Sequence, residues 1–206
     1  MKKNLFIVVD GLDGSGKSEI VKMLHNHLFS KHKKFRILTT REPTNGIHGK
    51  KLREMLANET DPLQSREELA ELFVKDRKEH LENLIIPFLN NKEGGSNIVI
   101  CDRYYYSTIA FQGAQGLDMK ELIEKNKGFL KPDIAFILDV SPEIALKRIH
   151  YRKKEKFEQL EFMQKIKENF QKLPNMLEDN ITIVNSNRPI SEVFNNIRKE
   201  VEKLIS

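Results

Sequence analysis

Leu5-Phe6-Ile7-Val8-Val9-Asp10-Gly11-Leu12-Asp13-Gly14-Ser15-Gly16-Lys17-Ser18 is the stretch whose reading decides the fold. Its apolar run ends in a glycine-rich turn that satisfies G-x-x-x-x-G-K-[ST]. Behind the turn, Ile20, Leu24 and Leu28 recur at i, i+4 and i+8, the stripe of an amphipathic helix. A buried strand, a glycine turn and a helix start, in that order, make a cradle for phosphates. The glycines let the backbone turn tightly and aim its N–H groups inward, and the helix N-terminus adds partial positive charge. Gly11, Leu12, Asp13, Gly14, Ser15 and Gly16 are then expected to wrap the phosphates of ATP. Lys17 would bridge the β- and γ-phosphates, and the Ser18 hydroxyl would bind Mg²⁺.

Outward from the cradle, further apolar runs bounded by turn residues lie at Phe35 to Leu38, Ile98 to Cys101, Ile134 to Val140 and Ile181 to Val184, with helical patterns between them. This alternation predicts an α/β protein, a three-layer P-loop NTPase fold with a five-stranded parallel sheet flanked by helices. Ile47 to Leu89 reads as two or more helices, separated between Asn58 and Ser65 where Asp61-Pro62 breaks the pattern, and is a place for an inserted substrate site. Asn91 to Asn97, with Gly94-Gly95-Ser96, reads as a loop. A length of 206 residues with 39% apolar content suits one domain, and no repeat or linker divides residues 1–206.

A net charge of +5 favours anionic partners, nucleotides or nucleic acid alike. The single cysteine, Cys101, cannot close an intramolecular disulfide and follows an apolar run, which points to a buried thiol in a reducing compartment. Met1 to Asn4 lead into too few apolar residues for a signal peptide or membrane span, so a cytoplasmic location is expected.

A guanine-nucleotide switch is excluded by the lack of N-K-x-D and of D-x-x-G after the third strand. That strand instead ends in Asp102-Arg103-Tyr104, a carboxylate and a guanidinium at the sheet edge where open α/β sheets bind ligands. Asp102 can hold Mg²⁺ through water, and Arg103 can pair with a second phosphate; a structural ion pair is the alternative.

With these residues the chain resembles the thymidylate kinases, from Leu5 to about Leu204. The resemblance rests on Gly11 to Ser18, Thr40-Arg41-Glu42-Pro43, Phe73 with Arg77, Asp102-Arg103-Tyr104 with Ser107-Thr108 and Gln112, and the basic segment from Arg148 to Lys154. It implies transfer of a phosphoryl group from ATP to dTMP with Mg²⁺, in a homodimer whose candidate interface lies in the helices of Ile47 to Leu89. It further implies that Phe73 stacks on the pyrimidine, that Arg77 hydrogen-bonds the base carbonyl, and that Ser107, Thr108, Phe111 and Gln112 surround base and sugar. Asp13 matches the carboxylate that accepts from the 3′-hydroxyl, and Tyr104 or Tyr105 is expected to fence off a 2′-hydroxyl. Arg41, Pro43 and Arg53 are candidates for the acceptor phosphate and pocket wall.

The basic segment, about residues 147–158, corresponds to a lid that closes on ATP. One branch of the family carries an arginine in the P-loop; this chain does not, which turns attention to Arg148 and Arg152, with Arg152 the first choice as catalyst. Without the resemblance, the same run is a solvated basic helix. Two rivals share parts of this pattern: another deoxynucleotide or nucleoside kinase, and a nucleotide-dependent nucleic-acid-binding protein with salt-sensitive affinity.

Overall fold

The computed structural model describes residues 4–58, 65–92, 95–149 and 160–205. Along them run β1 (Leu5–Gly11), α1 (Lys17–Lys31), β2 (Phe35–Arg41), α2 (Ile47–Asn58), α3 (Arg66–His80), α4 (Ile86–Asn90), β3 (Ser96–Asp102) and α5 (Tyr105–Ala114). There follow α6 (Met119–Asn126), β4 (Ile134–Asp139), α7 (Pro142–Arg148), α8 (Leu160–Met176), β5 (Ile181–Asn185) and α9 (Ile190–Ile205). A π-helical turn, Leu81–Ile85, joins α3 to α4.

The five strands are parallel in the order β2-β3-β1-β4-β5, as the alternation of apolar runs and helical patterns predicts. Side chains of a strand alternate between its faces, and here both faces are covered. Leu5, Ile7 and Val9 of β1 pack with Ile98, Ile100, Phe136 and Leu138 under the α1 stripe of Ile20, Leu24 and Leu28 and under Val193, Ile197 and Val201 of α9. Phe6 and Val8 face the other way, joining Val99, Cys101, Ala135 and Ile137 beneath Ile109 of α5 and Phe170 and Leu173 of α8. Burying a side chain of this size contributes about 1.5–3 kcal/mol, so the two cores anchor β1 firmly and with it the turn that follows.

Ser96 and Asn97 belong to β3 rather than to the expected loop, because Phe35 and Arg36 of β2 pair with them in register. The polar Asn97 is tolerated in a buried strand since its amide donates to Leu89 O at 3.3 Å and Asn91 O at 2.6 Å, closing the end of α4. No helix among the described residues is long and apolar enough to cross a membrane.

Candidate active site

β1 delivers the glycine turn to the centre of the sheet's C-terminal edge. Gly16 opens α1 with φ 99°, and Gly14 has φ 77°, both in the left-handed region that favours glycine. A Cβ at Gly14 would collide with the carbonyl of Ala145, so the turn lies directly against α7. Lys17 is buried; its Nζ donates to the carbonyls of Gly11 at 3.0 Å and Leu12 at 2.8 Å and lies 3.8 Å from Asp13 Oδ1. Burial, and then the charge of Arg103, push its pKa below the usual lysine value against the opposing pull of Asp13, Asp102 and Asp10.

The Asp-Arg corner closes on the same point. Arg103 has φ 71°, a conformation uncommon for a residue with a side chain, and its surroundings impose it. Its N–H donates to Val9 O at 2.9 Å, and the next N–H, of Tyr104, donates to Asp10 Oδ2 at 3.0 Å. The guanidinium donates to Ser107 Oγ at 2.9 Å and Asp13 Oδ1 at 2.5 Å, and sits 5.2 Å from the ring centroid of Phe111. Burial alone would lower its pKa, but Asp13, Asp10 and Asp102 outweigh it and hold the group protonated. Beside it, Ser18 Oγ donates to Asp102 Oδ2 at 3.1 Å, while Asp102 Oδ1 is buried with no hydrogen-bond partner. A buried carboxylate oxygen left in this state, next to a hydroxyl and a phosphate cradle, suits a hard cation. Among the described residues no cluster of three His, Cys, Asp or Glu is placed to bind a metal, so such a cation would draw further oxygens from phosphate and water.

Asp10 is a residue that motif reading passed over. Fully buried, it accepts Gly11 N at 2.8 Å and Ser107 Oγ at 2.6 Å on one oxygen, and Tyr104 N and Ser107 N, each at 3.0 Å, on the other. Tyr104, at the N-cap of α5, makes no side-chain cap, and Asp10 supplies one from β1. One carboxylate thus ties the entrance of the cradle, the Arg103 corner and α5 together. Burial raises its pKa, and Arg103, Ser107, Lys17 and Tyr104 work against that rise. A lone carboxylate at the end of an apolar strand was the available signal.

The expected base pocket lies toward β2. Phe73 is half-buried and packs on Leu52, Leu69 and Leu72 between α2 and α3. Arg77 is almost wholly buried: Nε and Nη2 donate to Glu42 Oε2 at 3.0 and 2.8 Å, Nη1 to Asn126 Oδ1 at 2.6 Å, and Nη2 also to Thr108 Oγ1 at 3.0 Å. The sequence brings out Arg77 and Thr108, and Glu42 only within Thr40-Arg41-Glu42-Pro43 without a role; the pairing of Glu42 and Asn126 with Arg77 is seen only in the fold. Gln112 is buried, its Nε2 bonded to Gln115 Oε1 at 3.2 Å and its Oε1 without a partner, an acceptor suited to a base N–H. Arg53, on α2, donates to Thr44 O at 2.6 Å and Pro43 O at 2.5 Å, so it braces the loop after β2. Arg41 is exposed at the end of β2, paired in register with Asp102.

The tyrosine fence needs correction. Tyr104 is fully buried with its hydroxyl on Leu130 O at 3.0 Å and its ring edge-on to Phe6, and the Tyr105 hydroxyl donates to Asp179. Both rings are core, drawn inward because a buried phenol needs a partner and finds one on the far side of α5. The α5 ring beside Arg103 is Phe111.

Arg148 ends α7 and reaches two loops, donating to Gly14 O at 3.3 Å and to Ser186 O at 2.9 Å after β5. Arg152 and most of the expected lid lie outside the described residues.

A parallel sheet in this order, with a phosphate cradle after its central strand and an Asp-Arg corner after the neighbouring one, defines a P-loop kinase of the nucleotide-phosphorylating kind. Comparison with known proteins narrows the class. The family profile described as thymidylate kinase matches residues 9–197. A probable thymidylate kinase of Thermococcus kodakarensis is 37% identical over 98% of both chains. A thymidylate kinase of Desulfotalea psychrophila is 36% identical over 97% of this chain and 95% of the relative. A thymidylate kinase of Leptospira interrogans is 40% identical over 84% of this chain and 82% of the relative. The chain belongs to the thymidylate kinase family.

Proposed function

We propose that this chain transfers the γ-phosphoryl group of ATP to dTMP, giving ADP and dTDP, a step toward dTTP. The observation that carries the reading is the convergence of Lys17, Ser18, Asp102, Arg103 and Asp13 at the ends of β1 and β3, and the bond from Arg77 to Thr108, with Gln112 one turn further along α5, supports a second ligand beside them. An oxygen of the acceptor phosphate attacks the γ-phosphorus in line, the bond from that phosphorus to the β,γ-bridging oxygen breaks, and ADP leaves with the electron pair. Such a transfer needs positioning and charge neutralisation rather than a covalent nucleophile.

Lys17 turns from the carbonyls of Gly11 and Leu12 to the β- and γ-phosphates, its buried charge strengthened by exclusion of water. Arg103, kept protonated by its three carboxylates, holds the acceptor phosphate, while Asp13 orients that guanidinium and accepts from the sugar hydroxyl. Phe73 stacks on the pyrimidine, Arg77 reads its carbonyl edge, Gln112 faces its N–H, and Ser107 and Phe111 line the sugar side. Ser18 and Asp102 would hold Mg²⁺, which neutralises phosphate charge when bound. Arg148 braces the cradle against the loop after β5, and Arg152 in the 147–158 lid completes the charge around the transferring group. Arg41, Pro43 and Arg53 shape the acceptor side. The active unit is a cytoplasmic homodimer joined through helices of the 47–89 region, where Ile47 is 79% exposed.

Coupled ADP release with ATP, Mg²⁺ and, separately, dTMP, dUMP, thymidine, dCMP, CMP and AMP tests the proposal. Turnover fastest with dTMP supports it; preference for thymidine or another monophosphate reassigns the acceptor pocket, and no acceptor-dependent turnover refutes it.

A further inference from the structure

Three side chains of α3 grip the segment that follows β2. Asp76 accepts Thr44 N at 2.9 Å and Thr44 Oγ1 at 2.5 Å. Arg77 donates through Nε and Nη2 to Glu42 Oε2, and His80 Nδ1 lies 3.2 Å from Glu42 Oε1. His80 Nε2 is in turn 2.7 Å from Thr40 Oγ1. A carboxylate only accepts, so the His80 proton on this side belongs to Nδ1, and in the neutral ring Nε2 accepts from the Thr40 hydroxyl. Glu42, Arg77 and His80 are each at most 4% exposed. A buried pair of this kind is costly to break from one side, which argues for a single fixed geometry.

The cage around Arg77 is complete on its flanks. Asn126 and Thr108 take the other ends of the fork, and the rings of Tyr104, Phe129 and Tyr105 lie 5.2, 5.9 and 6.0 Å from the guanidinium carbon. A guanidinium has donors and no acceptor. Held still, it welcomes a base carbonyl and sets N–H against N–H when the base carries an amino group there. Free to swing, it would discriminate weakly, since rejection depends on leaving a buried polar group unpaired.

We propose that Glu42, steadied by His80, is the positioning residue that fixes Arg77 against the acceptor base and so sets the preference for a carbonyl over an amino group at that edge. The proposal rests on the reading above that Arg77 faces the base, and its test separates the two.

The experiment measures kcat and KM for dTMP, dCMP and ATP in the full chain and in Arg77→Met, Glu42→Gln, His80→Gln and the Glu42→Gln/Arg77→Met double variant, with a melting curve for each. Arg77→Met is expected to raise the KM for dTMP about tenfold, the loss of one charge-assisted hydrogen bond. Glu42→Gln is expected to lower the dTMP-over-dCMP ratio of kcat/KM by about tenfold with the KM for ATP unmoved. His80→Gln shifts that ratio in the same direction by less, and Glu42→Gln adds nothing in the Arg77→Met background. A wild-type KM for dTMP in Arg77→Met overturns the base reading itself. If Arg77→Met acts while Glu42→Gln and His80→Gln both keep the wild-type ratio, the positioning role is overturned and the base reading stands. Should Glu42→Gln not fold, His80→Gln alone decides by whether its ratio moves.

Discussion

The phosphate cradle and the cage around Arg77 sit at neighbouring strand ends of one sheet, yet they keep their shapes by opposite means. The cradle is one continuous turn, Gly11 to Ser18, shaped by glycines at positive φ and by its own carbonyls, and pressed between β1 and α7. The cage gathers Thr40, Glu42, Arg77, His80, Thr108 and Asn126 from the β2 end, α3, α5 and α6, and is held by charge and hydrogen bonds between side chains. A turn of backbone presents the same amides to any polyphosphate and suits a donor common to many reactions. A cage of side chains fixes one guanidinium in one direction and suits the choice of an acceptor. Asp10 joins the two systems' neighbourhoods by fastening the cradle to α5, which also carries Thr108 and Gln112.

If that division holds, damage to the cradle lowers turnover with every acceptor, and damage on the other side changes which acceptor is used. The largest effect is expected from Lys17→Ala: turnover in the coupled assay falls by at least about 10³-fold while the melting curve remains that of a folded protein. Retained turnover would remove the cradle from catalysis. Asp10→Ala comes next, because it leaves buried N–H groups of Gly11, Tyr104 and Ser107 unmet. We expect a loss of about 3 kcal/mol, or roughly 6–12 °C in Tm by calorimetry. An unchanged Tm would show the cradle to be independent of α5. Phe73→Ala should raise the KM for dTMP about tenfold and leave that for ATP alone; equal shifts in both would blur the boundary between the two regions. Arg148→Ala should raise the KM for ATP about threefold without altering acceptor choice, read from the same assay.

How much of this was legible follows the same line. The cradle, the five strands and the α1 stripe were readable because each is local: a motif of adjacent residues, a continuous apolar run, or a period of 3.6 carries the signal. The extension of β3 through Ser96 and Asn97 was not, since Asn97 is buried only because the end of α4 supplies carbonyls to its amide. Arg77 stood out through the resemblance, but its partners Glu42 and Asn126 lie 35 and 49 residues away and meet it only in the folded chain, where His80, one turn along α3 from Arg77, joins them through Glu42. The tyrosines after Arg103 misled for a related reason. Their proximity to the Asp-Arg corner suggested a pocket wall, whereas the start of α5 turns two of the rings into the core toward Leu130 and Asp179.

The most direct test of the account is a competition. The protein is given ATP labelled in the γ-phosphate, Mg²⁺ and an equimolar mixture of dTMP, dUMP, dCMP and AMP, and the label is followed into the separated diphosphates. The account predicts that label accumulates first and mainly in dTDP. Label spread evenly among the diphosphates, or directed to another of them, would contradict it.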